Sequence, residues 1–356
     1  MNNEKLFDGI RAVSAVFIAL IIAVIIIFFV SNEPSEALAR FILGPLTSIS
    51  HIGNVVEMAI PLAFTGLYYT VLFKANLFNL GAEGVFFSSA LFSAILAVNL
   101  PFPPGLNPIV IMLSGATLGA IIGCIPCFFN IKWGANALVV SLMMNNILYG
   151  IGMFLLNNHF RDFSAYAIVT HPFQESARLT TMIPQTRIHW GLAVLIIVCV
   201  ALTFFIRKTT WGYEIRMMGI NKKFATYSGM KSIRIMFLTY LIAGFTAGLG
   251  GSVEILGMYR KFQWTSLPGY GLDGVLVALL AKSNPATVPA AAIFLAYIRI
   301  GADMMSRMSD VPAEMISIVQ ALIILLISSQ MLFKNIKQRI LLKQTICDSK
   351  TIKGNA

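Results

Sequence analysis

Hydrophobic and polar positions alternate along this chain in long blocks, apolar runs broken by short polar or glycine-containing stretches. Measured against the roughly 20 apolar residues that a spanning helix needs, the blocks predict spans at 11–30, 55–73, 84–99, 109–129, 136–156, 190–206, 235–256, 272–283, 287–305 and 313–333. The third and eighth are short for a full crossing. The first follows a basic flank, as a signal peptide does, but its run is too long and lacks a small-residue cleavage site, so it reads as a retained span. The expected fold class is an all-α integral membrane protein with about ten transmembrane helices.

Composition supports that reading. The 356 residues are 57% hydrophobic and 12% charged, with a mean hydropathy of +0.80, against about 25% charged in an average soluble domain. So few charges cannot cover a globule of this size, which excludes a soluble enzyme. The net charge of +11 would suit nucleic acid if it were spread over one surface, but it is concentrated in loops. Arg207, Lys208, Arg216, Lys222, Lys223, Lys231 and Arg234 face one acid, Glu214, and the chain from Lys334 onward is basic again. Lys/Arg clusters beside spans mark the cytoplasmic side, so the charge reports orientation and no nucleic-acid partner is expected. Ten spans then place both termini and the 207–234 loop in the cytoplasm. The longest external segment, 157–189, carries Arg161, Asp162, Arg178 and Arg187, a polar surface on which a partner could dock. The domains expected are 1–54 as an N-terminal span and external loop, 55–333 as the transmembrane domain, and 334–356 as a basic cytoplasmic tail.

A weak internal repeat supplies symmetry. Gly81–Val85 and Gly271–Val275 share a Gly-x-acid-Gly-Val core, and the same offset carries the second, fourth and fifth spans onto the seventh, ninth and tenth. Five spans per half is an odd number, so the halves would be a 5+5 inverted repeat, and glycine-interrupted short segments in matching places point to a transporter's centre.

Catalytic chemistry is not found in the pattern. The chain has no phosphate-binding loop, no zinc-protease helix and no nucleophile elbow. His51, His159, His171 and His189 are dispersed over predicted external loops, and Cys124 and Cys127 sit in an apolar run with no second pair to complete a metal site. No cofactor, metal site or catalytic residue is expected, and energy for active transport must come from a partner or an ion gradient.

The acids and amides in apolar surroundings are the candidate functional residues. Glu83 and Asp273 each lie between glycines at the start of a hydrophobic helix, where a carboxylate accepts from free N–H groups at the positive end of the helix dipole. Such broken helix ends either cap structure or build transport sites. Glu57 and Glu254 read as packing acids, and an ionisable group at that depth needs a partner or a wet cavity. Asn76, Asn79, Asn136, Asn145 and Asn146 can bond across helices or meet a polar solute; those at 136, 145 and 146 cannot share one helix face. Gly115, Gly119 and Gly123, with Gly244 and Gly248, have the spacing that lets spanning helices approach closely. In the loop 211–234, Asn221 can N-cap a short helix to Ser228 with Ala225 and Tyr227 available to bury, a form suited to docking in a partner's groove.

Five segments carry a family resemblance. PLAFTGLYYTVLFKANLFNLGAEG (61–84), WGANALVVSLMMNNI (133–147), GYEIRMMGINKKFATYSGM (212–230), AGFTAGLGGSVEILG (243–257) and GYGLDGVLVALLAKSNP (269–285) resemble, in order, the signatures of ABC importer permeases of the nucleoside and simple-sugar branch. The resemblance covers about 55–330 and implies a permease that is not itself an enzyme. It implies a second permease in a heterodimer, two ATPase subunits that bind ATP, and an extracytoplasmic solute-binding lipoprotein. It implies ATPase coupling through Gly212, Glu214, Arg216, Gly219, Asn221, Ala225 and Gly229, and a solute pathway near Asn79, Glu83, Asn145 and Asp273. Nucleosides are the leading cargo, with riboflavin or a simple sugar as alternatives. Val85, Ala137 and Ala281 depart from the family's Gln, Glu and Gly, two of them removing polar groups near the proposed pathway. From another class, the rival reading is an ion-gradient-driven secondary carrier working alone.

Overall fold

The computed structural model describes Phe28, residues 33–103 and residues 105–309. The predicted spans 11–30 and 313–333 and the tail 334–356 lie outside that set, apart from Phe28. The chain divides into two compact units, one made of the two ends of the chain and one of Leu46–Tyr297.

In the first unit, α1 (Pro34–Leu43) forms where an external loop was expected. Its Glu36–Arg40 pair, 3.2 Å apart, lies exposed while Ala37 and Phe41 are buried. A ten-residue amphipathic helix has too few apolar positions to register as a hydropathy block.

The second unit holds α2 (Ile49–Lys74), α3 (Ala82–Asn99), α4 (Leu106–Trp133), α5 (Ala137–Leu155), α6 (Gly191–Lys208), α7 (Thr210–Ile220), α8 (Lys222–Tyr227), α9 (Ser232–Met258) and α10 (Tyr270–Leu280). The last helix, α11, is Val288–Met308. Among the described residues seven helices are long and apolar enough to span a membrane. Local chemistry sets their ends. The Ser48 side chain accepts from His51 N at 3.2 Å to start α2, Asn136 Oδ1 accepts from Leu138 N at 3.0 Å to start α5, and Gly134 in the left-handed region ends α4.

The core is the crossing of α4 and α9. Gly115, Gly119 and Gly123 face Gly244, Gly248 and Ser252, so the glycine spacing read from the sequence is a backbone-to-backbone contact. A Cβ on Gly119 would sit 2.6 Å from both Gly244 O and Gly248 Cα. Helix α2 is buried almost throughout between α9 and α10.

The predicted eighth span, 272–283, is resolved differently. Helix α10 has 11 residues, about 16 Å at 1.5 Å each, half of a hydrocarbon core of about 30 Å. Its far end meets the basic face, where Arg207 Nη2 donates to Asn284 Oδ1 at 3.0 Å. The preceding helix α9 ends at the opposite face, where Leu179 N donates to Leu256 O at 3.0 Å. Residues 259–269 therefore make the first half of this crossing without helix, and α10 makes the second. Hydropathy misses the non-helical half because Arg260, Lys261 and Gln263 interrupt it. An aromatic cluster holds it: Trp264 stacks on Phe86 at 6.0 Å, and Phe87 packs on Phe262 at 5.7 Å.

Part of the segment 157–189 is folded onto this crossing, while the rest of it is exposed. Phe173 N donates to Arg260 O at 2.9 Å and Thr170 N to Phe262 O at 3.1 Å. Lys261 Nζ pairs with Asp162 at 2.9 Å, and the Ser164 hydroxyl together with Lys261 holds the Asp162 carboxyl well below the usual carboxylate range. At the end of the segment His189 is fully buried against Gly257 of α9. Its Nδ1 accepts from Gly191 N at 3.1 Å, and burial lowers its pKa from 6.5 to about 4.

Two outcomes follow from this packing. Gly119→Val should abolish accumulation of folded protein and Gly119→Ala should cost about 1–3 kcal/mol by overpacking, read as a lower thermal midpoint in detergent; Gly150→Ala, with open space at its Cβ, should be neutral. Because His189 is held neutral, its contribution is present above pH 6.5 and is lost as pH falls toward 4. Wild type should therefore lose stability across that window more steeply than His189→Asn; parallel melting-temperature profiles would refute the assignment.

Candidate functional site

Two places gather the residues singled out in the sequence. The first is an elbow on the basic face. After α6 the chain turns at Thr209, whose Oγ1 accepts from Gly212 N at 3.1 Å and starts α7. Gly212 fits in the crook against Phe205 O and Ile206 O, and Gly219 lies against Lys74 O at the end of α2. Neither site has room for a side chain, so α7 is seated on the ends of two spanning helices. Asn221 then breaks the helix in an extended conformation, and its Oδ1 accepts from Phe224 N at 3.1 Å to start α8. Gly229, with φ +83, turns the chain back toward α9. Glu214 and Arg216 are half-buried on α7, and Ala225 is fully buried.

Tyr227 is not buried as its position suggested. It is 90% exposed, and Phe224 and Ile220 are 53% and 79% exposed. Helix α8 has under two turns, so burying Ala225 directs the flanking Phe224 and Tyr227 outward. Arg234 of α9 lies over the Trp211 ring at 4.6 Å and ties the elbow to the core. Neither the aromatic rim nor this cation–π contact was singled out in the sequence; the signal available was a set of aromatics at 211, 213, 224 and 227 in an otherwise basic loop.

The second place is the break ahead of α10. Glu83, in the first turn of α3, accepts from Gly269 N at 2.5 Å and from Gly271 N. Its carboxylate thus caps the free amides of a helix that begins inside the membrane. Asn79 Oδ1 accepts from Gly81 N at 2.5 Å, while Asn145 of α5 accepts from Gly84 N at 2.9 Å and donates to Leu80 O at 2.8 Å. Asp273 lies buried in the first turn of α10, next to Gly274, whose Cβ position is 2.6 Å from Thr65. The four candidate pathway residues are therefore brought close to the two glycine motifs, and Asn79, Glu83 and Asn145 hold backbone amides there. Asn146, adjacent in sequence, points about 100° away around α5 and is exposed. Glu57 and Glu254 are buried, Glu254 bonded by Tyr270 and Glu57 near Arg187. Among the described residues no group of His, Cys, Asp and Glu could hold a metal ion.

Residues 51–328 match the family described as branched-chain amino acid transport system / permease component. The chain is 28% identical over 354 residues to a glucose ABC transporter permease of Haloferax volcanii, covering 94% of this chain and 93% of that one. It is 29% identical over 292 residues to a guanosine ABC transporter permease of Bacillus subtilis, covering 80% and 83%. It is 28% identical over 343 residues to a nucleoside ABC transporter permease of Lactococcus lactis, covering 92% of each.

Capping by Glu83 has a direct test. Glu83→Ala leaves buried amides at the start of α10 without an acceptor and should cost about 1–3 kcal/mol, while Glu83→Gln, which keeps one carbonyl oxygen, should cost less. Thermal midpoints of the purified protein would show the order, and equal midpoints for all three would remove Glu83 from this role.

Proposed function

From the premise that this chain belongs to the family of branched-chain amino acid transport system permease components, we propose that it conducts nucleosides as one permease of an ATP-driven, binding-protein-dependent importer. As a family member it is a multi-pass, non-catalytic ABC permease, a class that works with ATPase and binding-protein partners. The finer reading concerns cargo, docking and assembly. Two of the three relatives above are named for guanosine or nucleoside transport. The glucose permease is as similar and keeps a simple sugar as the second reading.

The observation that carries the ATP-driven mechanism is the elbow. Ile220, Phe224 and Tyr227 project from two short helices on the basic face, which by its charge is cytoplasmic. Exposed aromatics on a rigid, glycine-seated support suit a groove in a partner. Closure of the ATPases would push on α7 and α8, and through Gly219 and Gly212 on the ends of α2 and α6. Glu214, Arg216, Asn221, Ala225 and Gly229 complete this coupling element. A carrier driven by an ion gradient has no need of such a surface. The opposed glycine motifs, α3 running outward from one and α10 inward from the other, support the inverted 5+5 repeat. The folded 157–189 segment offers the outer face to a solute-binding lipoprotein, and a second permease would complete the pathway as a heterodimer.

The test is uptake of labelled guanosine, glucose and riboflavin by cells expressing the chain with its partner subunits. Guanosine uptake should survive collapse of the ion gradients and vanish without the ATPase. Arg216→Glu and Tyr227→Glu should each reduce uptake at least about tenfold, the scale of a lost interface anchor, with the chain still in the membrane. Normal uptake by both variants would overturn the docking assignment, and uptake by the chain alone, abolished by the collapse, would establish a carrier.

A further inference from the structure

Helix α5 shows an unusual outer face. Val139, Met143, Asn146, Ile147, Gly150 and Phe154 are exposed along it at the spacing of one helical stripe. Asn146 lies nine residues from either end of Ala137–Leu155, at the middle of the span. Its neighbour Asn145 is consumed by two bonds to the chain, whereas Asn146 makes one long bond, Nδ2 to Leu142 O at 3.4 Å. Helix α6 is the internal contrast: it exposes Ile196, Ile197, Val200 and Phe204 and no polar side chain before Arg207. That is the composition of a lipid-facing surface. An amide at mid-depth does not belong on one, since each poorly paired polar group in hydrocarbon costs several kcal/mol.

A second observation lies beside it. The non-helical half-crossing alternates as an extended strand does: Phe262 and Trp264 are buried, Gln263 and Thr265 exposed. Ser266 is exposed as well. The Tyr149 hydroxyl donates to Thr265 O at 2.6 Å, which fixes this segment alongside α5, one turn from Asn146. Irregular backbone at membrane depth is tolerated where it is buried in protein or lines a wet cavity. Phe262 and Trp264 bury one side of the segment, while Gln263, Thr265 and Ser266 leave its other side uncovered by this chain.

We infer that Asn146, Gln263, Thr265 and Ser266 line the solute pathway, on a face formed jointly by α5 and the 263–266 segment, and that they select an uncharged, multiply hydroxylated or amide-bearing solute. The face offers amides and hydroxyls, which donate and accept, and carries no ionised side chain. This deepens the importer reading and rests on it for the identity of the solute, but the location of the wet face does not depend on the cargo.

The experiment uses the full chain with its partner subunits in cells, with Cys124, Cys127, Cys199 and Cys347 replaced by serine. Single cysteines are placed at 146, 265 and, on the α6 control face, 197, and treated with a charged, membrane-impermeant methanethiosulfonate. Positions 146 and 265 should react and 197 should not, and guanosine should slow the first two. Asn146→Leu should raise the KM for guanosine uptake at least about fivefold, the scale of one lost hydrogen bond, with the amount of assembled complex in the membrane unchanged. Labelling at 146 and 265 without guanosine uptake or protection supports the pathway and discards the nucleoside reading. Equal labelling at 197, or protection of 146 and 265 from the reagent in a complex that still transports, overturns the pathway and makes the α5 stripe a dry helix-packing surface.

Discussion

A backbone amide inside a bilayer must have a partner within the protein, and the Glu83 carboxylate on Gly269 and Gly271 is where this chain meets that requirement most severely. A continuous eighth helix would need no such device. By crossing half as extended chain and half as α10, the segment gains polar side chains at membrane depth but exposes the first amides of a helix in a medium without water. Glu83 supplies the acceptor from a different helix, Asn79 and Asn145 fix the turn that presents Glu83, and Phe86 and Phe87 one turn further on shield it with Phe262 and Trp264. The two glycine motifs are therefore one structural unit, separated in sequence and joined by a carboxylate.

Much of this was legible in the sequence because membrane solvation imposes a simple rule. Seven of the eight expected spans within the described residues are long apolar helices, since any 18-residue apolar run must satisfy its backbone internally. The glycine ladder at 115–123 and 244–248 could be read as helix contact because small residues have few other uses there. Asn221 as an N-cap was equally readable, its side chain being of the right length for the second and third amides that follow. The half-crossing was not. MYRKFQWTSLPG carries Arg260 and Lys261, so any hydropathy window ends before it, and the aromatic partners that make it tolerable, Phe86 and Phe87, lie far back in the sequence in α3.

The candidate residues divide along the same line. Of the three glycines named for coupling, Gly212 and Gly219 have close backbone neighbours and Gly229 has a positive φ, so each has a backbone reason to lack a side chain. Tyr227 was misjudged because amphipathicity in a six-residue helix is set by what it packs on, and here only Ala225 reaches the core. Asn145 and Asn146 could not be separated from sequence alone. Adjacent residues on a helix point about 100° apart, and nothing in the local pattern says which of the two faces the interior.

Their separation bears on how a permease can work at all. Polar groups already bonded within the fold can offer a solute only the lone pairs and N–H groups those bonds leave over. Glu83, Asn79 and Asn145 already hold backbone amides, so part of their hydrogen-bonding capacity is committed to the fold. Asn146 and the outward residues of the strand-like segment carry no such obligation. Weakly engaged amides and hydroxyls on a rigidly capped scaffold exchange partners with water and with a neutral solute at similar free energy. Near-balance is what a pathway requires, because a solute held tightly at mid-membrane would not be released when the elbow moves.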